Sequence, residues 1–485
     1  MTSTSPSVIS TDICIIGGGS GGLSVAAGAV QMGAEVTLIE KAAMGGDCLN
    51  TGCIPSKALL AAAKAAYTAN GQPAMGITAS SPPQIDFAAV KDHVDEVISG
   101  IAPHDSVARF EGLGVRVLTG TARFSGPAEV IAETENGTVK ITARYIVIAT
   151  GSQPWIPPIT GLSDTPFYTN ETIFNLRDAP EHLIIIGGGP IGIEMAQAHI
   201  RLGCRVSVIE PFALMGRDDP DLSGALIEML EAEGIGFYRG AQIETVAHAG
   251  PSVHVTLETG QTLAGSHLLV AVGRRANVAG LALETARITA SDRGITTDER
   301  LRTSNRRVFA IGDVAGRHQF THMAGYHAGI VIRNMLFRLP AKLDNRAVPW
   351  VTYTDPELAH TGISKADAET QYGAAALTIT DWPLSENDRA RAERKTGGMV
   401  RVITDKRGRI LGASILAPHA GEMIHSWTLA INAGLKIGVM ANTIAPYPSW
   451  SEASKRAAGA WFTETLFAER TKKLVRFLLM FQKRG

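Results

Sequence analysis

The chain has 485 residues, with 45 basic and 46 acidic side chains and a formal net charge of −1 at pH 7. A nearly neutral chain has no global attraction to nucleic acid or to an anionic membrane, so neither is predicted as a general partner. Its length predicts about two to four domains. Because the chain has only four cysteines and its polar N-terminus (MTSTSPSVIS) lacks a basic region, no secretory signal is predicted and a cytoplasmic location is expected.

The first predicted elements belong to one of two copies of the same unit. ICIIGGGSGGLSVAAGAVQMGAEVTLIE (13–40) returns as LIIIGGGPIGIEMAQAHIRLGCRVSVIE (183–210), with every motif glycine offset by 170 residues. Each copy predicts an apolar strand, a G-x-G-x-x-G turn, a helix of small residues and a second strand ending in Glu. Residues 13–34 carry no formal charge, but their glycines argue against a transmembrane helix. The sequence therefore predicts two dinucleotide-binding units.

Three glycines and one carboxylate in each copy have separate tasks. The first glycine permits the tight turn, the second lets the backbone approach a pyrophosphate, and the third lets the helix pack on the strand. The N-terminus of the helix then holds the phosphates. The carboxylate accepts hydrogen bonds from ribose hydroxyls and repels a 2′-phosphate, so the second copy favours NADH over NADPH. These residues, which imply FAD and NAD as cofactors, are Gly17, Gly19, Gly22 and Glu40 in the first copy and Gly187, Gly189, Gly192 and Glu210 in the second.

Between the two copies, the segment GGDCLNTGCIPSK (45–57) holds Cys48 and Cys53. Residues five apart on a regular helix point in different directions, so a disulfide here requires a bend, which a glycine between them permits. A strained, accessible disulfide is easily reduced, and the first interpretation is a redox-active pair. A zinc site is disfavoured because Cys14 and Cys204 stand singly in apolar stretches and suit small core residues. Two inert buried thiols are the alternative for the pair.

Five motifs follow one another in an order that resembles a known family. They are the first glycine motif, the C-x4-C segment, YIVIATGS (145–152), the second glycine motif and VFAIGDVAG (308–316). From about residue 12 to about residue 465, the chain resembles the class I pyridine nucleotide-disulfide oxidoreductases, which include dihydrolipoamide dehydrogenase, glutathione reductase and mercuric reductase.

The resemblance implies an α/β fold with two Rossmann-like dinucleotide-binding domains, for FAD and NAD, and an α+β C-terminal domain that makes a homodimer. The implied divisions are an FAD-binding domain at 1–155 and 277–345, an NAD-binding domain at 156–276, an interface domain at 346–469 and a basic, apolar tail at 470–485.

The resemblance also assigns roles to single residues. Cys53 is expected nearest the flavin as a thiolate, Cys48 as the interchange thiol that meets the acceptor, and Lys57 with Glu194 as an ion pair beside the flavin. For Lys57, a solvated helix lysine is the alternative. Implied FAD contacts are Gly17, Gly19, Gly22, Glu40, Lys41, Gly46, Asp47, Ala122, Thr150, Gly151, Asp313, Thr321 and His322. Implied NAD contacts are Gly187, Gly189, Ile191, Gly192, Glu210 and Gly273, and no metal-ligating set is assigned.

Two positions depart from the thiol–disulfide members of the family. In those members, the partner subunit supplies a His-Pro segment with a Glu five positions after the His. Here the matching segment is APYPSWSEASKRAA (445–458), with Tyr447 at the His position and Glu452 retained. The tyrosine resembles mercuric reductase, although this sequence shows neither the C-terminal cysteine pair nor the N-terminal metal-binding domain of that enzyme. Asp47 stands where the family commonly has Thr, and a carboxylate beside Cys48 disfavours its thiolate.

The predicted function is transfer of electrons from NADH through FAD to a Cys48–Cys53 disulfide and on to a disulfide or a soft metal ion. Mercuric reductase-like and dihydrolipoamide dehydrogenase-like activities are the rivals within this class. A different class is also open, in which the redox state of a flavoprotein controls binding to a partner and turnover is incidental.

The final segment, RTKKLVRFLLMFQKRG (470–485), has six basic residues, no acidic ones and a cluster of apolar side chains. Such a segment can contact an anionic membrane surface. Packing against the dimer is the favoured alternative, because its apolar residues occupy more than one helical face.

Overall fold

The structure, a computed structural model, describes residues 7–481. They divide into two compact units, one formed by residues 7–211 with 235–343 and the other by residues 212–234 with 344–481. The division into FAD, NAD and interface domains stays a prediction. Expectations about residues 1–6, in the polar N-terminus, and 482–485, at the end of the basic tail, lie outside the described residues.

The first unit is built on two parallel sheets with helices packed against their strands. Its strands are β1 (Ser7–Ile16), β2 (Val36–Glu40), β3 (Gly71–Gln72), β4 (Ile77–Thr78), β5 (Arg116–Gly126), β6 (Glu129–Thr134), β7 (Gly137–Ile148), β8 (Ser152–Pro154), β9 (His182–Ile186), β10 (Arg205–Glu210), β11 (Gly236–Arg239), β12 (Ile243–Ala249), β13 (Ser252–Leu257), β14 (Thr262–Gly265), β15 (His267–Val270), β16 (Arg274–Ala276), β17 (Ala290–Ser291), β18 (Gly294–Ile295) and β19 (Val308–Ala310). Its first six helices are α1 (Ser20–Gln31), α2 (Gly46–Asn50), α3 (Cys53–Ala69), α4 (Phe87–Ile101), α5 (Val107–Gly112) and α6 (Pro190–Arg201).

The first parallel sheet is centred on β1, which pairs with β2 on one side and β7 on the other. Strand β2 pairs with the first part of β5, and β7 pairs with β19. The rest of β5 forms an antiparallel meander with β6 and β7. Apolar runs such as ICII and YIVI fill the central strands because a parallel sheet is covered on both faces. Two buried clusters result, one around Ile141 and Ile148 and the other around Ile15 and Phe309.

The second parallel sheet repeats the same local plan. Its order is β11-β10-β9-β15, and β12, β13 and β14 form a separate antiparallel sheet. Because β1–α1–β2 and β9–α6–β10 follow the same strand–helix–strand order, the two predicted Rossmann-like units are confirmed. Parallel pairing places the carboxyl ends of β1 and β2 at the same edge of the first sheet, and those of β9 and β10 at the same edge of the second. In each sheet, the glycine turn and the strand-end acid therefore lie at that edge.

The second unit is an antiparallel sheet with helices. It contains α7 (Pro220–Ala232), followed by β20 (Trp350–Thr352), β21 (Glu357–Gly362), β22 (Leu377–Pro383), β23 (Met399–Asp405) and β24 (Ile410–Ala417), in the order β20-β21-β24-β23-β22. The remaining helices are α8 (Thr321–Leu336), which belongs to the first unit, and α9 (Lys365–Tyr372), α10 (Asp388–Ala392), α11 (Ala420–Asn432), α12 (Ile437–Asn442), α13 (Ser451–Ala460), α14 (Thr463–Leu466) and α15 (Glu469–Met480) in the second.

The core of the second unit surrounds Trp427, which is fully buried and donates its indole N–H to Ser454. A buried arginine, Arg401 on β23, makes ion pairs of 2.7 Å each with Asp219, Asp221 and Asp381. These contacts tie α7 and β22 to the centre of the sheet. Within residues 7–481, none of the helices is long and apolar enough to cross a bilayer.

Candidate active site

The two cysteines of the C-x4-C segment lie on consecutive short elements. Cys48 is half-buried in α2, and Cys53 is exposed at the first position of α3. Gly52 separates the two helices, and a Cβ added there would lie 2.9 Å from both the carbonyl oxygen and a carboxylate oxygen of Asp47. The expected bend is therefore present at this glycine. Both cysteines are free thiols in this structure.

The electrostatics of the pair favour a thiolate on one sulfur only. The pKa of Cys53 is lowered to about 6, chiefly because Cys48 donates a hydrogen bond to it, with further help from Thr321 and the positive charge of Lys57. Burial and Asp47 act against this shift. The same hydrogen bond, together with burial, raises the pKa of Cys48. At neutral pH the thiolate therefore resides on Cys53, the cysteine expected nearest the flavin.

A long helix also faces Cys53 with its N-terminus. Thr321 is the first residue of α8, and its hydroxyl lies 3.4 Å from the Cys53 sulfur. The positive end of a helix stabilises a nearby thiolate. Further along α8, His327 is fully buried and accepts a hydrogen bond from the Gly312 N–H through its Nδ1 atom at 3.1 Å. Burial lowers its pKa to about 4, so this ring is neutral.

Lys57 and Glu194 are brought together from the two dinucleotide-binding halves. The Lys57 Nζ atom lies 2.7 Å from Glu194 Oε2, which connects α3 with α6. The Glu194 side chain is 6% exposed and that of Lys57 is 36% exposed. The expected ion pair is present one helical turn after Cys53, and Lys57 is paired as well as partly exposed. Its place beside a flavin stays a prediction.

The first glycine turn has the shape that an FAD pyrophosphate requires. Gly17 adopts a φ of 109°, and a Cβ there would overlap the Ala149 carbonyl, whereas a Cβ at Gly22 would overlap the Gly17 carbonyl. Helix α1 begins directly after Gly19 with small residues in its first turn, which leaves its N–H donors open to a phosphate. Glu40 accepts hydrogen bonds from the N–H groups of Gly18 at 2.5 Å and Ala42 at 2.7 Å. These residues fit the group.

The second glycine turn reproduces this geometry and fits NAD(P) in the same way. Gly187 has a φ of 113°, a Cβ at Gly192 would overlap the Gly187 carbonyl, and Glu210 accepts a hydrogen bond from the Gly188 N–H at 2.7 Å. Gly189 precedes α6, whose first turn exposes Ile191. Gly273, with a φ of 131°, lies directly before β16.

The remaining predicted FAD contacts surround the first turn in different ways. Gly46 approaches Gly19 closely, since a Cβ on Gly46 would lie 2.8 Å from the Gly19 Cα atom. The Thr150 hydroxyl donates to the Asn277 carbonyl at 2.7 Å, next to Gly151, whose φ is 69°. The others are Lys41, which is exposed, Ala122, which lies on β5 and packs against the core, Asp313, which accepts a hydrogen bond from Ser152, and His322, whose ring stacks on Phe320.

Sequence reasoning missed a polar network behind the cysteine segment. Arg274, on β16, donates to the Ser152 hydroxyl at 2.7 Å and to the Asn170 side-chain oxygen at 3.3 Å, and it forms an ion pair with Asp47 at 3.3 Å. Ser152 in turn donates to Asp313 at 2.6 Å. The position of Arg274 directly after Gly273 was the one available signal, and nothing in the spacing connected it to Asp47.

Tyr447 and Glu452 belong to the second unit, and each has a partner of its own there. The Tyr447 hydroxyl donates to Asp388 at 3.1 Å, which raises the pKa of this exposed phenol. Glu452 is buried and accepts hydrogen bonds from Arg456 at 2.9 and 3.1 Å. Glu452 is thus held by an arginine of its own helix α13, an arrangement the sequence spacing did not reveal.

The other two cysteines are buried, as predicted. Cys14 is 0% exposed and Cys204 is 3% exposed, and burial raises their pKa values to about 12 and about 11. They are inert core residues. Among residues 7–481, no group of three or more His, Cys, Asp or Glu side chains is arranged to hold a metal ion.

Two solved structures resemble this chain over most of its length. The Cu(II) complex of the HOCl-induced flavoprotein disulfide reductase RclA from Escherichia coli superposes with a TM-score of 0.83 at 29% identity, covering 93% of this chain and 99% of RclA. LpdA from Mycobacterium tuberculosis gives a TM-score of 0.85 at 27% identity, with the same coverage.

The sequence comparisons agree with the site geometry. A mercuric reductase from Streptomyces lividans is 36% identical over 453 residues, which cover 92% of this chain and 95% of the relative, and one from Staphylococcus aureus is 31% identical. Residues 11–328 match the pyridine nucleotide-disulphide oxidoreductase family, and residues 348–458 match its dimerisation domain, which supports a homodimer. The chain therefore belongs to the pyridine nucleotide-disulphide oxidoreductases and is an FAD- and NAD(P)H-dependent flavin disulfide oxidoreductase, as predicted.

Proposed function

We propose that this oxidoreductase uses NADH to reduce a soft metal ion, with Cys48 and Cys53 as the redox pair that meets it. The observation that carries this proposal is the asymmetric thiol pair, with a thiolate on Cys53 and its proton on Cys48, combined with Tyr447 in place of a histidine base. FAD, when bound, supplies the two-electron transfer between the nicotinamide and this pair.

The site is better suited to a soft metal ion than to a disulfide as the electron acceptor. Thiolates bind such ions directly, whereas disulfide exchange requires a group that takes and returns a proton near neutral pH. The pKa of Tyr447 is raised by its hydrogen bond to Asp388, so the phenol stays protonated and acts as a donor. The relatives named mercuric reductases and the Cu(II) complex of RclA support the same class of acceptor.

We also propose NADH as the preferred reductant. Glu210 lies at the end of β10 and is held against the second glycine turn by the Gly188 N–H. A carboxylate at this position accepts hydrogen bonds from ribose hydroxyls and repels a 2′-phosphate.

An acceptor panel on the purified holoenzyme tests the proposal. NADH oxidation is measured with Hg(II), Cu(II), lipoamide, glutathione disulfide, quinone and oxygen, for the parent protein and for Cys48→Ser and Cys53→Ser. We expect multiple turnovers with a soft metal ion, lost in both variants. Faster turnover with lipoamide than with any metal ion contradicts the proposal. NADH oxidation that stops after one turnover with every acceptor favours the alternative of a redox-controlled partner-binding flavoprotein.

The contact of the C-terminal helix with an anionic membrane surface is a further proposal. Helix α15 carries Arg470, Lys472, Lys473 and Arg476, and Leu474, Phe477, Leu478 and Phe481 lie at helical spacing on one side, each at least half exposed. Leu479 and Met480 lie outside this stripe, so the apolar residues do occupy more than one face. Basic residues beside exposed apolar ones complement the charge of anionic lipid. The cytoplasmic location stays a prediction.

A further inference from the structure

The charge next to the interchange cysteine is held by a network of polar side chains. Asp47 precedes Cys48 in α2, and its Oδ2 atom lies 3.3 Å from an Arg274 terminal nitrogen. The Asp47 side chain is 38% exposed, and that of Arg274 is 13% exposed. The Oδ1 atom of Asp47 accepts hydrogen bonds from the Thr51 hydroxyl at 2.9 Å and from the Asn170 amide at 3.0 Å. Both carboxylate oxygens are therefore engaged.

Arg274 is fixed in turn by groups that lie away from the cysteines. Its Nε atom donates to the Ser152 hydroxyl at 2.7 Å, and a terminal nitrogen donates to the Ser152 carbonyl at 3.0 Å. Ser152 donates to Asp313, whose carboxylate lies 4.0 Å from Arg274. The guanidinium is thus positioned between two carboxylates, and the Asp47 charge cannot swing away from the cysteine segment without breaking several hydrogen bonds.

We propose that Asp47 and Arg274 are positioning residues that set the reducing power of the Cys48–Cys53 pair in opposite directions. The carboxylate of Asp47 makes the dithiol a stronger reductant, and the guanidinium of Arg274 limits that effect. This inference rests on the proposed role of the two cysteines as the redox pair.

The direction follows from the charge balance of the thiol–disulfide couple. Two electrons and two protons convert the S–S bond into two thiols, and any charge that stabilises a thiolate stabilises the reduced form. The hydrogen bond with Cys53 and burial chiefly raise the pKa of Cys48, and the negative charge of Asp47 adds to this rise. The same charge opposes the lowering of the pKa of Cys53, so Asp47 disfavours a thiolate at either sulfur. The reduced pair then releases its electrons more readily to an acceptor. A positive charge paired with Asp47 offsets part of this effect.

The test measures the dithiol–disulfide equilibrium rather than activity. Purified holoenzyme is equilibrated in buffers of reduced and oxidised lipoamide, and the fraction of Cys48 and Cys53 present as thiols is counted by alkylation and mass spectrometry. We expect Asp47→Asn to shift the equilibrium constant toward the dithiol by about threefold to tenfold, and Arg274→Gln to shift it toward the disulfide. Glu299→Gln, which removes a carboxylate from an exposed pair with Lys342, is the matched control and leaves it unchanged.

Shifts of the dithiol–disulfide equilibrium in opposite directions for Asp47→Asn and Arg274→Gln distinguish this inference from simple damage to the site. A loosened segment changes the equilibrium in the same direction for Asp47→Asn and Arg274→Gln, and that result overturns the inference. Asp47→Thr, which replaces the carboxylate with a neutral hydroxyl, must shift in the same direction as Asp47→Asn. If the parent protein shows no redox couple that depends on Cys48, the proposed function itself fails. If the couple is present and Asp47→Asn leaves it unmoved, only the inference about Asp47 and Arg274 fails.

Discussion

At the scale of single residues, absorption spectroscopy should distinguish the roles of the two cysteines. A Cys53 thiolate beside oxidised flavin should give a long-wavelength absorption, because the pKa of Cys53 is lowered to about 6. We expect this band in the parent protein after anaerobic two-electron reduction by NADH opens the disulfide, in Cys48→Ser without any reductant because that variant cannot form the disulfide, and not in Cys53→Ser. The thiolate is present above this pKa and is lost by protonation below it. A pH titration of the band in the parent protein should therefore show it fading as the pH falls through about 6.

The buried thiol of Cys204 provides the control, since Cys204→Ala should leave the band unchanged. A band that survives in Cys53→Ser and disappears in Cys48→Ser reverses the order assigned to the two sulfurs.

We expect the coenzyme preference to depend on one carboxylate, that of Glu210. The parent enzyme should show a higher kcat/KM for NADH than for NADPH, and Glu210→Gln should narrow the ratio by about tenfold, the factor that corresponds to about 1.4 kcal/mol. Steady-state kinetics with both coenzymes measures this ratio, and Glu258→Gln, at an exposed position of the same unit, is the control. Equal kcat/KM values in the parent protein contradict the proposal.

We expect Tyr447 to limit the rate at which the site exchanges disulfides. An imidazole titrates near pH 6.5 and a phenol near pH 10, and general acid–base assistance is typically worth about 10² to 10⁴-fold. We expect Tyr447→His to raise NADH–lipoamide turnover and Tyr447→Phe to lower metal-ion turnover, both followed against pH. Because Glu452 is held by Arg456, the new imidazole has to compete for its orienting carboxylate, so the gain should fall toward the lower end of this range. High lipoamide turnover in the parent protein, reduced by Tyr447→His, makes lipoamide-type chemistry the better interpretation.

At the scale of elements, matched substitutions should show which glycine turn binds FAD and which binds NADH. Gly22→Ala places a methyl group on the Gly17 carbonyl and should yield protein depleted of FAD, whereas Gly192→Ala should retain FAD and bind NADH at least about tenfold more weakly. Flavin absorbance and NADH titration measure the two effects. Gly224→Ala, in open space on α7, is the control and should behave as the parent. Loss of FAD in Gly192→Ala contradicts the assignment of the two turns.

Helix α15 offers a second test at this scale. Full-length protein should sediment with vesicles containing phosphatidylserine and not with phosphatidylcholine vesicles, and binding should weaken as salt is raised. Leu474→Glu with Phe477→Glu should abolish binding, because both side chains lie on the apolar side of the helix. Equal sedimentation of the full-length and variant proteins excludes the membrane contact, and a dimer that dissociates in the variant indicates that a second copy covers this helix.

At the scale of the whole molecule, the parts predictable from the sequence are those encoded locally. The repeat is visible because the strand, the turn and the acid of each copy fall within 28 consecutive residues, and the C-x4-C segment is shorter still. The contacts that were missed join distant segments: Asn170 reaches Asp47 across 123 residues, and neither belongs to a periodic pattern. Lys57 and Glu194, which are 137 residues apart, could be paired in advance only through the family resemblance.

The hydrogen bonds from the Gly18 and Gly188 N–H groups to Glu40 and Glu210 have a consequence for the cost of cofactor binding. Each acid is already oriented by its own turn, so the side chain has given up its rotational freedom during folding. A flexible acid loses this conformational entropy when the nucleotide binds and weakens the complex accordingly. In this protein, that conformational entropy is lost when the domain folds and not when the nucleotide binds. Preorganisation of this kind lowers the entropic cost of nucleotide binding at both copies of a segment of fewer than thirty residues.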